Sequence, residues 1–177
     1  SPIRSLALGQ VEIRGRAQPE AELLTSPFGG LPCVFYSYTV EAHTGSDKNT
    51  RWETIASGTS EQPFYVRDVT GQVLIVPLGA TLLLRGDQIS ITNSLRDLPP
   101  ATLDGLRHLG IATSSWMGSK PLRCREAVIL PGESIYVLGT ALEHHGMNQH
   151  ITNECRLYIG DSSNHAFIIS DRSEKEI

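Results

Sequence analysis

The feature that most constrains the fold of this chain is a short pattern that occurs twice. VEIRGRA at residues 11–17 and IYVLGTA at residues 135–141 both read apolar-x-apolar-x-Gly-x-Ala. Strict alternation is the period of a strand with one buried face, and a glycine within it marks a bulge, a barrel corner or a close backbone approach. The repeat therefore predicts two strands that bend at Gly15 and Gly139 and lie close together in one coiled or closed sheet.

The side chains next to these glycines should face the other way. Alternation places Arg14 and Thr140 on the opposite face of each strand, and we expect that face to be solvated. Substitutions there should therefore cost much less stability than substitutions at the glycines.

Alternating runs separated by turn residues continue along the rest of the chain. Asp68 and Gly71 supply turn chemistry between two strands, and the other strand candidates lie at residues 33–41, 51–58, 79–91, 122–130, 155–160 and 165–170. The pattern breaks at residues 95–110, where Pro99-Pro100, leucines at every third position and Gly110 predict one short helix. We expect one mainly β domain over residues 1–177, an OB-like barrel or coiled sheet, with a helical insertion at about 95–117.

Composition excludes several function classes. The net charge of −4 and a pI near 5.8 argue against nucleic-acid binding, which depends on lysine and arginine against phosphate. The most apolar window, residues 73–84, is too short to span a bilayer. Cys33, Cys124 and Cys155 have no C-x-x-C spacing and favour three buried thiols, with one disulfide plus a free thiol as the alternative.

The sequence contains no common catalytic signature. The nucleophile elbow, the H-E-x-x-H motif, the P-loop and the dinucleotide fingerprint are all missing. The histidines His144, His145 and His150 form the densest set of metal-ligating side chains, but a solvated loop is the favoured interpretation. We therefore expect no metal, no cofactor and no catalytic residue.

Four side chains remain as candidates for binding a partner or ligand: Trp52, Asp68, Arg125 and Glu126. Asp68 is either a catalytic acid or base or a turn residue that binds its own backbone, and the turn is favoured. Arg125 and Glu126 are adjacent on a strand and point to opposite faces, so one of them is expected to be buried against a partner charge, or both to lie at an edge. Trp52 is favoured as a core or rim aromatic residue over a stacking platform. The glycines assigned structural roles are Gly15, Gly71 and Gly139.

Taken together, the motifs resemble a known family. The succession VEIRGRAQP, PCVFYSYTVE, RW, PFYVRDVTGQVLIVPLGA, RCREAVILPGESIYVLGTA and FIISDRSEKE is similar to the GIDE domain over residues 9–175. This is the extramembrane domain of MAPL-type mitochondrial-anchored E3 ubiquitin ligases and of their bacterial and archaeal relatives. Cys124 departs from the pattern, because an aromatic residue is expected there. The chain resembles the prokaryotic branch, in which the domain lies between two membrane helices.

This resemblance implies a membrane-anchored protein whose domain lies on the extracytoplasmic side, excised here from between its helices. It does not imply ubiquitin transfer by this chain, because a RING needs about eight Cys and His ligands for two zinc ions and three scattered cysteines cannot supply them. The leading hypothesis is a non-catalytic binding or scaffolding domain that recognises a protein, peptide or small ligand beside the bilayer. The alternatives are an enzyme with an unrecognised site, a ligase component whose RING lies outside this chain, and an OB-like nucleic-acid binder, which the charge disfavours.

Overall fold

The structure is a computed structural model, and it describes residues 1–45, 48–84, 89–111, 120–144 and 157–172. In these residues the chain is mainly β, as predicted, with one α-helix, α1 (Pro100–His108), and short 3-10 turns at Ile3–Ser5 and Leu95–Asp97. The strands are β1 (Gly9–Pro19), β2 (Leu24–Thr25), β3 (Pro32–Cys33), β4 (Phe35–Thr44), β5 (Arg51–Thr59), β6 (Phe64–Asp68), β7 (Gly71–Ile75), β8 (Thr81–Leu83), β9 (Ile89–Ser94), β10 (Pro121–Ile129), β11 (Ser134–Glu143), β12 (Leu157–Gly160) and β13 (Ile168–Ser170).

The chain forms two compact units. The first, which we call the barrel unit, is assembled from Ser1–Leu23, Glu61–Arg85 and Ile129–Ile177. The second, which we call the sheet unit, comprises Leu24–Ser60 and Gly86–Val128.

The barrel unit is built around a closed five-stranded barrel. Its strands follow the order β1, β6, β7, β12 and β11, and β11 pairs with β1 to close the ring. The seam is antiparallel from Gly9 opposite Ala141 to Arg16 opposite Ser134, so the two copies of the repeated pattern are direct neighbours. The prediction that they lie together in one sheet is confirmed. β13 and β8 extend the sheet beyond β11.

Close packing explains the two glycines of the repeat. Neither has a left-handed backbone, so any residue could adopt their φ angles. A Cβ atom on Gly15 would lie 2.5 Å from the carbonyl oxygen of Arg67 on β6, and one on Gly139 would lie 2.6 Å from Cγ2 of Ile159 on β12. Gly15 therefore lies where the backbone of a neighbouring strand comes too close for a side chain, and Gly139 lies where packed side chains leave no room for one.

The expectation of a solvated face beside these glycines is wrong for Thr140. Thr140 is buried, and its hydroxyl finds no hydrogen-bond partner in the described part of the chain. Arg14 is half-buried: its guanidinium lies 5.6 Å from the centre of the Tyr136 ring and donates a hydrogen bond to the carbonyl of Arg172. Alternation alone therefore does not identify a solvated face.

The sheet unit contains a four-stranded sheet in the order β5, β4, β10, β9. One face, which we call the inner face, packs with α1 in a core formed by Phe28, Val40, Ala42, Leu98, Leu106, Leu122 and Cys124. The helix begins at Pro100 and ends at His108, with Gly110 at φ +70° after it, as the sequence predicted. The fit is tight, because a Cβ on Gly105 of the helix would lie within bonding distance of the Pro27 carbonyl oxygen.

Candidate binding site

Strand β10 presents two different chemistries on its two faces. Leu122, Cys124 and Glu126 are buried on the inner face, whereas Arg123 and Arg125 are half-buried on the opposite one, which we call the outer face. Arg125 and Glu126 thus point to opposite sides of the sheet, as their adjacency predicted.

A carboxylate on β4 joins the two arginines of the outer face. Glu41 accepts two hydrogen bonds from Arg123, from Nε at 3.2 Å and from Nη2 at 2.6 Å, in the planar two-point geometry of strong guanidinium–carboxylate pairs. Nη2 of Arg125 lies 2.8 Å from Oε1 of the same carboxylate. These hydrogen bonds and the positive charges lower the pKa of Glu41 although burial opposes the shift, so the group is ionised at neutral pH.

Trp52 on β5 completes this cluster. The Arg123 guanidinium carbon lies 4.4 Å from the centre of the Trp52 ring, well within cation–π range. On the neighbouring strand His43 pairs with Trp52 in register, and their ring centroids are 5.0 Å apart. The indole and Glu41 together hold Arg123 in one orientation. We call Glu41, Trp52, Arg123 and Arg125 the outer-face cluster.

An open cleft lies between β4 and β10 beside this cluster. It has a volume of about 130 Å³ and is lined by Ser37, Tyr38, Thr39, Glu41, Arg125, Glu126 and Ala127. Alternation brings Ser37, Thr39 and Arg125 to the outer face. The side chain of Arg125 is 38% exposed, compared with 12% for Glu41, so Arg125 is the more accessible partner of the ion pair.

Glu126 is buried on the inner face, with 1% of its surface exposed. Its Oε1 accepts hydrogen bonds from the backbone N–H groups of Phe28, at 2.5 Å, and Gly29, at 2.9 Å. These two residues belong to the loop between β2 and β3, which Thr102 also holds through a hydrogen bond to the Phe28 carbonyl. Glu126 therefore anchors this loop, and it is not available at the surface to bind a partner.

Asp68 acts as a turn residue, the favoured alternative. Its carboxylate accepts hydrogen bonds from the backbone N–H groups of Thr70 and Gly71 within its own turn and from that of Ile3. Burial alone would raise the pKa of Asp68, but these hydrogen bonds and one from the Thr70 hydroxyl lower it below its usual value. Gly71 does not have a left-handed φ angle, and a Cβ there would meet only a methyl group of Ile3 at 3.9 Å.

The cysteines and histidines reveal no metal site in the described residues. Cys33 and Cys124 are free and buried, as predicted, and burial raises the pKa of each thiol to about 11. The ring of His144 lies 4.8 Å from that of Tyr158. The predictions for His145, His150 and Cys155 fall outside the described residues.

Two members of the outer-face cluster, Glu41 and Arg123, were not among the residues predicted from the sequence. The spacing of Arg123 and Arg125 carried the signal, because residues two apart on a strand share a face. Glu41 could not be found in this way, since its pairing depends on which strand lies beside β10.

Comparison with known proteins agrees with the resemblance. Neither a curated protein nor a solved structure matches the chain. Within the described residues, no helix has the length and apolar character needed to cross a membrane. The family model GIDE, described as E3 ubiquitin ligase, matches residues 36–177, which is well over half of the chain. The chain therefore belongs to the GIDE family.

Proposed function

We propose that this chain is a non-catalytic protein-binding domain of an E3-ligase-associated protein and that it binds its partner through the outer face of the sheet unit. The outer-face cluster is the observation that carries this proposal. Tryptophan and arginine are the residues most enriched among those that dominate binding energy at protein interfaces. Here they are fixed by an ion pair and a cation–π contact, so little side-chain entropy remains to be lost when a partner binds.

The surroundings of the cluster fit an interface better than a core. Exposed serine and threonine side chains surround it on the same face, namely Thr54, Ser57, Thr59, Ser90 and Thr92. A central aromatic and arginine group with a polar, hydrated rim is the usual arrangement of a protein–protein contact. The cluster also carries one net positive charge in a chain whose total is −4, which favours a partner with an acidic surface.

The carboxylates support a binding function over an enzymatic one. General acid–base catalysis needs a group that titrates near the working pH and can reach the substrate. The pKa values of Asp68 and Glu41 are lowered, Asp68 is occupied by its turn, and Glu126 is buried against backbone amides. None of these groups is therefore arranged to transfer a proton.

The interface can be tested by site-specific photo-crosslinking in the full-length protein in its own cells. Thr54 is exposed on the outer face opposite Glu41, and p-benzoylphenylalanine placed there should give a discrete adduct. Val69, which is fully exposed on the β6–β7 turn, is the matched control and should give none. The purified partner should then bind the wild-type chain and bind the Trp52→Ala and Arg123→Gln variants at least about tenfold more weakly.

Two outcomes would contradict the proposal. It is wrong if the purified partner binds the two variants as tightly as it binds the wild type while circular dichroism shows that all three chains are folded. Equal crosslinking from positions 54 and 69 would also contradict it, because contact would not then be specific to the outer face.

The same proposal assigns ubiquitin transfer to another part of the ligase. The three cysteines of the chain are too few for the usual two-zinc RING, which supports this assignment. The purified chain is incubated with ubiquitin and with activating and conjugating enzymes. It should form no more ubiquitin conjugates than a control reaction without the chain. Conjugates that are lost on zinc chelation would overturn the assignment.

We further propose that the domain belongs to a membrane-anchored protein and lies on the extracytoplasmic side, in a prokaryotic relative of the mitochondrial ligases. The family resemblance supports this placement. The full-length protein should stay in the membrane fraction through alkaline carbonate washing, and external protease should digest the domain in intact spheroplasts. Release by carbonate or complete protection from protease would contradict the placement.

A further inference from the structure

The cleft beside Arg125 has the properties of a binding site for a single carboxylate. Among the residues that the structure describes, the outer-face cluster brings two guanidinium groups to one carboxylate, so one positive charge has no counter-ion there. Arg123 forms two hydrogen bonds with Glu41, and its guanidinium carbon lies 4.4 Å from the centre of the Trp52 ring. The uncompensated charge therefore resides mainly on Arg125, whose side chain is also the more exposed of the two.

Arg125 also has hydrogen-bonding capacity to spare. Its Nη2 contacts Glu41, whereas its Nε finds no hydrogen-bond partner in the described part of the chain. A guanidinium presents five N–H donors, so several stay available after one contact with Glu41. Leaving a buried donor unpaired is unfavourable, and a ligand or water that accepts a hydrogen bond from it recovers part of the cost.

The walls of the cleft supply further donors. Ser37 and Thr39 line it from β4, on the same face as Arg125. A hydroxyl can donate to a carboxylate oxygen while the guanidinium binds the other oxygen. The cleft, with a volume of about 130 Å³, has room for a carboxylate with its methylene group.

We propose that Arg125, with Ser37 and Thr39, forms a subsite for one aspartate or glutamate side chain of the partner protein. This assignment rests on the proposed function and names the chemistry that the outer face recognises. A monoanion neutralises the cluster, whereas a phosphate group with a charge of about −1.5 to −2 would leave an excess of negative charge beside Glu41. The charge balance therefore favours an acidic segment over a phosphorylated one.

The test uses the arginine Nε–Hε signals of the ¹⁵N-labelled chain in NMR. The chain has twelve arginines, and the Arg125→Lys variant assigns the signal of interest by its loss. Three capped glycine pentapeptides serve as probes, with glutamate, glutamine or phosphoserine at the centre. The glutamate peptide should shift the Arg125 Nε–Hε signal and the Ser37 and Thr39 amide signals in a saturable, salt-sensitive way, and the glutamine peptide should bind at least about tenfold more weakly.

Arg125→Lys should abolish the shifts at Ser37 and Thr39, because lysine keeps the charge but lacks the planar two-point geometry. Arg67→Lys, at an exposed arginine of the barrel unit, should leave them unchanged. The carboxylate assignment is overturned if the glutamine peptide binds equally well, if Arg125→Lys has no effect, or if the phosphoserine peptide binds tightest. If the shifts are absent and the partner still depends on Trp52, the subsite is wrong and the proposed function stands.

Discussion

Replacing Gly15 at the barrel seam with alanine tests whether glycine is needed there for close packing or for its backbone conformation. We expect Gly15→Ala to lower the free energy of unfolding by about 2–3 kcal/mol, in the upper range for overpacking. The new Cβ would lie 2.5 Å from the carbonyl oxygen and 2.9 Å from the carbonyl carbon of Arg67, and 2.8 Å from a methyl group of Val66. Two of these three atoms are backbone, so relief requires β6 to move away from β1.

Gly139→Ala should cost less, about 1–2 kcal/mol. Its nearest neighbours, Cγ2 of Ile159 at 2.6 Å and Cδ1 of Phe167 at 3.1 Å, are side-chain atoms that can rotate or shift. Gly71→Ala is the matched control, because its Cβ would meet only a methyl group at 3.9 Å. It should change stability by no more than about 0.5 kcal/mol, as is usual for substitutions without a buried clash.

The free energy of unfolding of each variant and of the wild type can be measured by urea denaturation, with far-ultraviolet circular dichroism as the signal. For a chain of this length, Gly15→Ala should also lower the melting temperature by roughly 5–10 °C. The expected order of destabilisation is Gly15, then Gly139, then Gly71. The close-approach explanation is refuted if Gly15→Ala is as stable as Gly71→Ala, or if Gly139→Ala is the more damaging of the two seam variants.

Three further predictions concern buried polar and ionisable groups. Glu126→Ala should lower the free energy of unfolding by about 2–4 kcal/mol because it leaves the buried N–H of Phe28 and the partly buried N–H of Gly29 unpaired. Glu126→Gln, which keeps an acceptor, should cost less than half as much in the same urea experiment. Asp68 has a lowered pKa in the folded chain, so its contribution to stability is present above the unfolded-state pKa and is lost as the pH falls through the folded-state pKa. The free energy of unfolding of Asp68→Asn should therefore be about 1–2 kcal/mol below that of the wild type at pH 7, and this difference should shrink in acid. A difference that does not change with pH would show that the ionised carboxylate of Asp68 is not what stabilises the turn. In a Cys155→Ser chain, Cys33 and Cys124 should resist Ellman's reagent at pH 8 until the chain unfolds, because a pKa of about 11 leaves almost no thiolate. Rapid reaction of either thiol in the folded chain would contradict this prediction.

The local elements of this fold could be predicted from sequence because they follow local rules. The period of two gave the main strands, the proline and glycine punctuation gave α1, and the repeated glycine pattern gave the seam between β1 and β11. The two-residue strands β2 and β3 were missed, since two residues are too few to show a period. The burial of Thr140 was missed because alternation does not say whether the second face of a strand is covered.

The candidate site was predicted only in part, for a related reason. Trp52 and Arg125 were chosen as single residues, and both belong to the outer-face cluster. The partner that unites them, Glu41, lies about eighty residues from Arg125 on a strand whose neighbour is set by sheet order. Glu126 and Asp68 were chosen as acidic side chains, but their carboxyl groups anchor a loop and close a turn.

The seam of the barrel also has a consequence for how the chain is synthesised. Residues 9–16 leave the ribosome over a hundred residues before residues 134–141, their partners on β11. At about 5–20 residues per second, β1 waits roughly 6–25 seconds with that edge unpaired, long enough for strand mispairing or chaperone capture. Ribosome-bound chains that stop before residue 134 should consequently leave β1 sensitive to protease, and protection should appear abruptly once β11 has cleared the exit tunnel. The yield of folded protein should therefore depend on how fast residues 17–133 are translated.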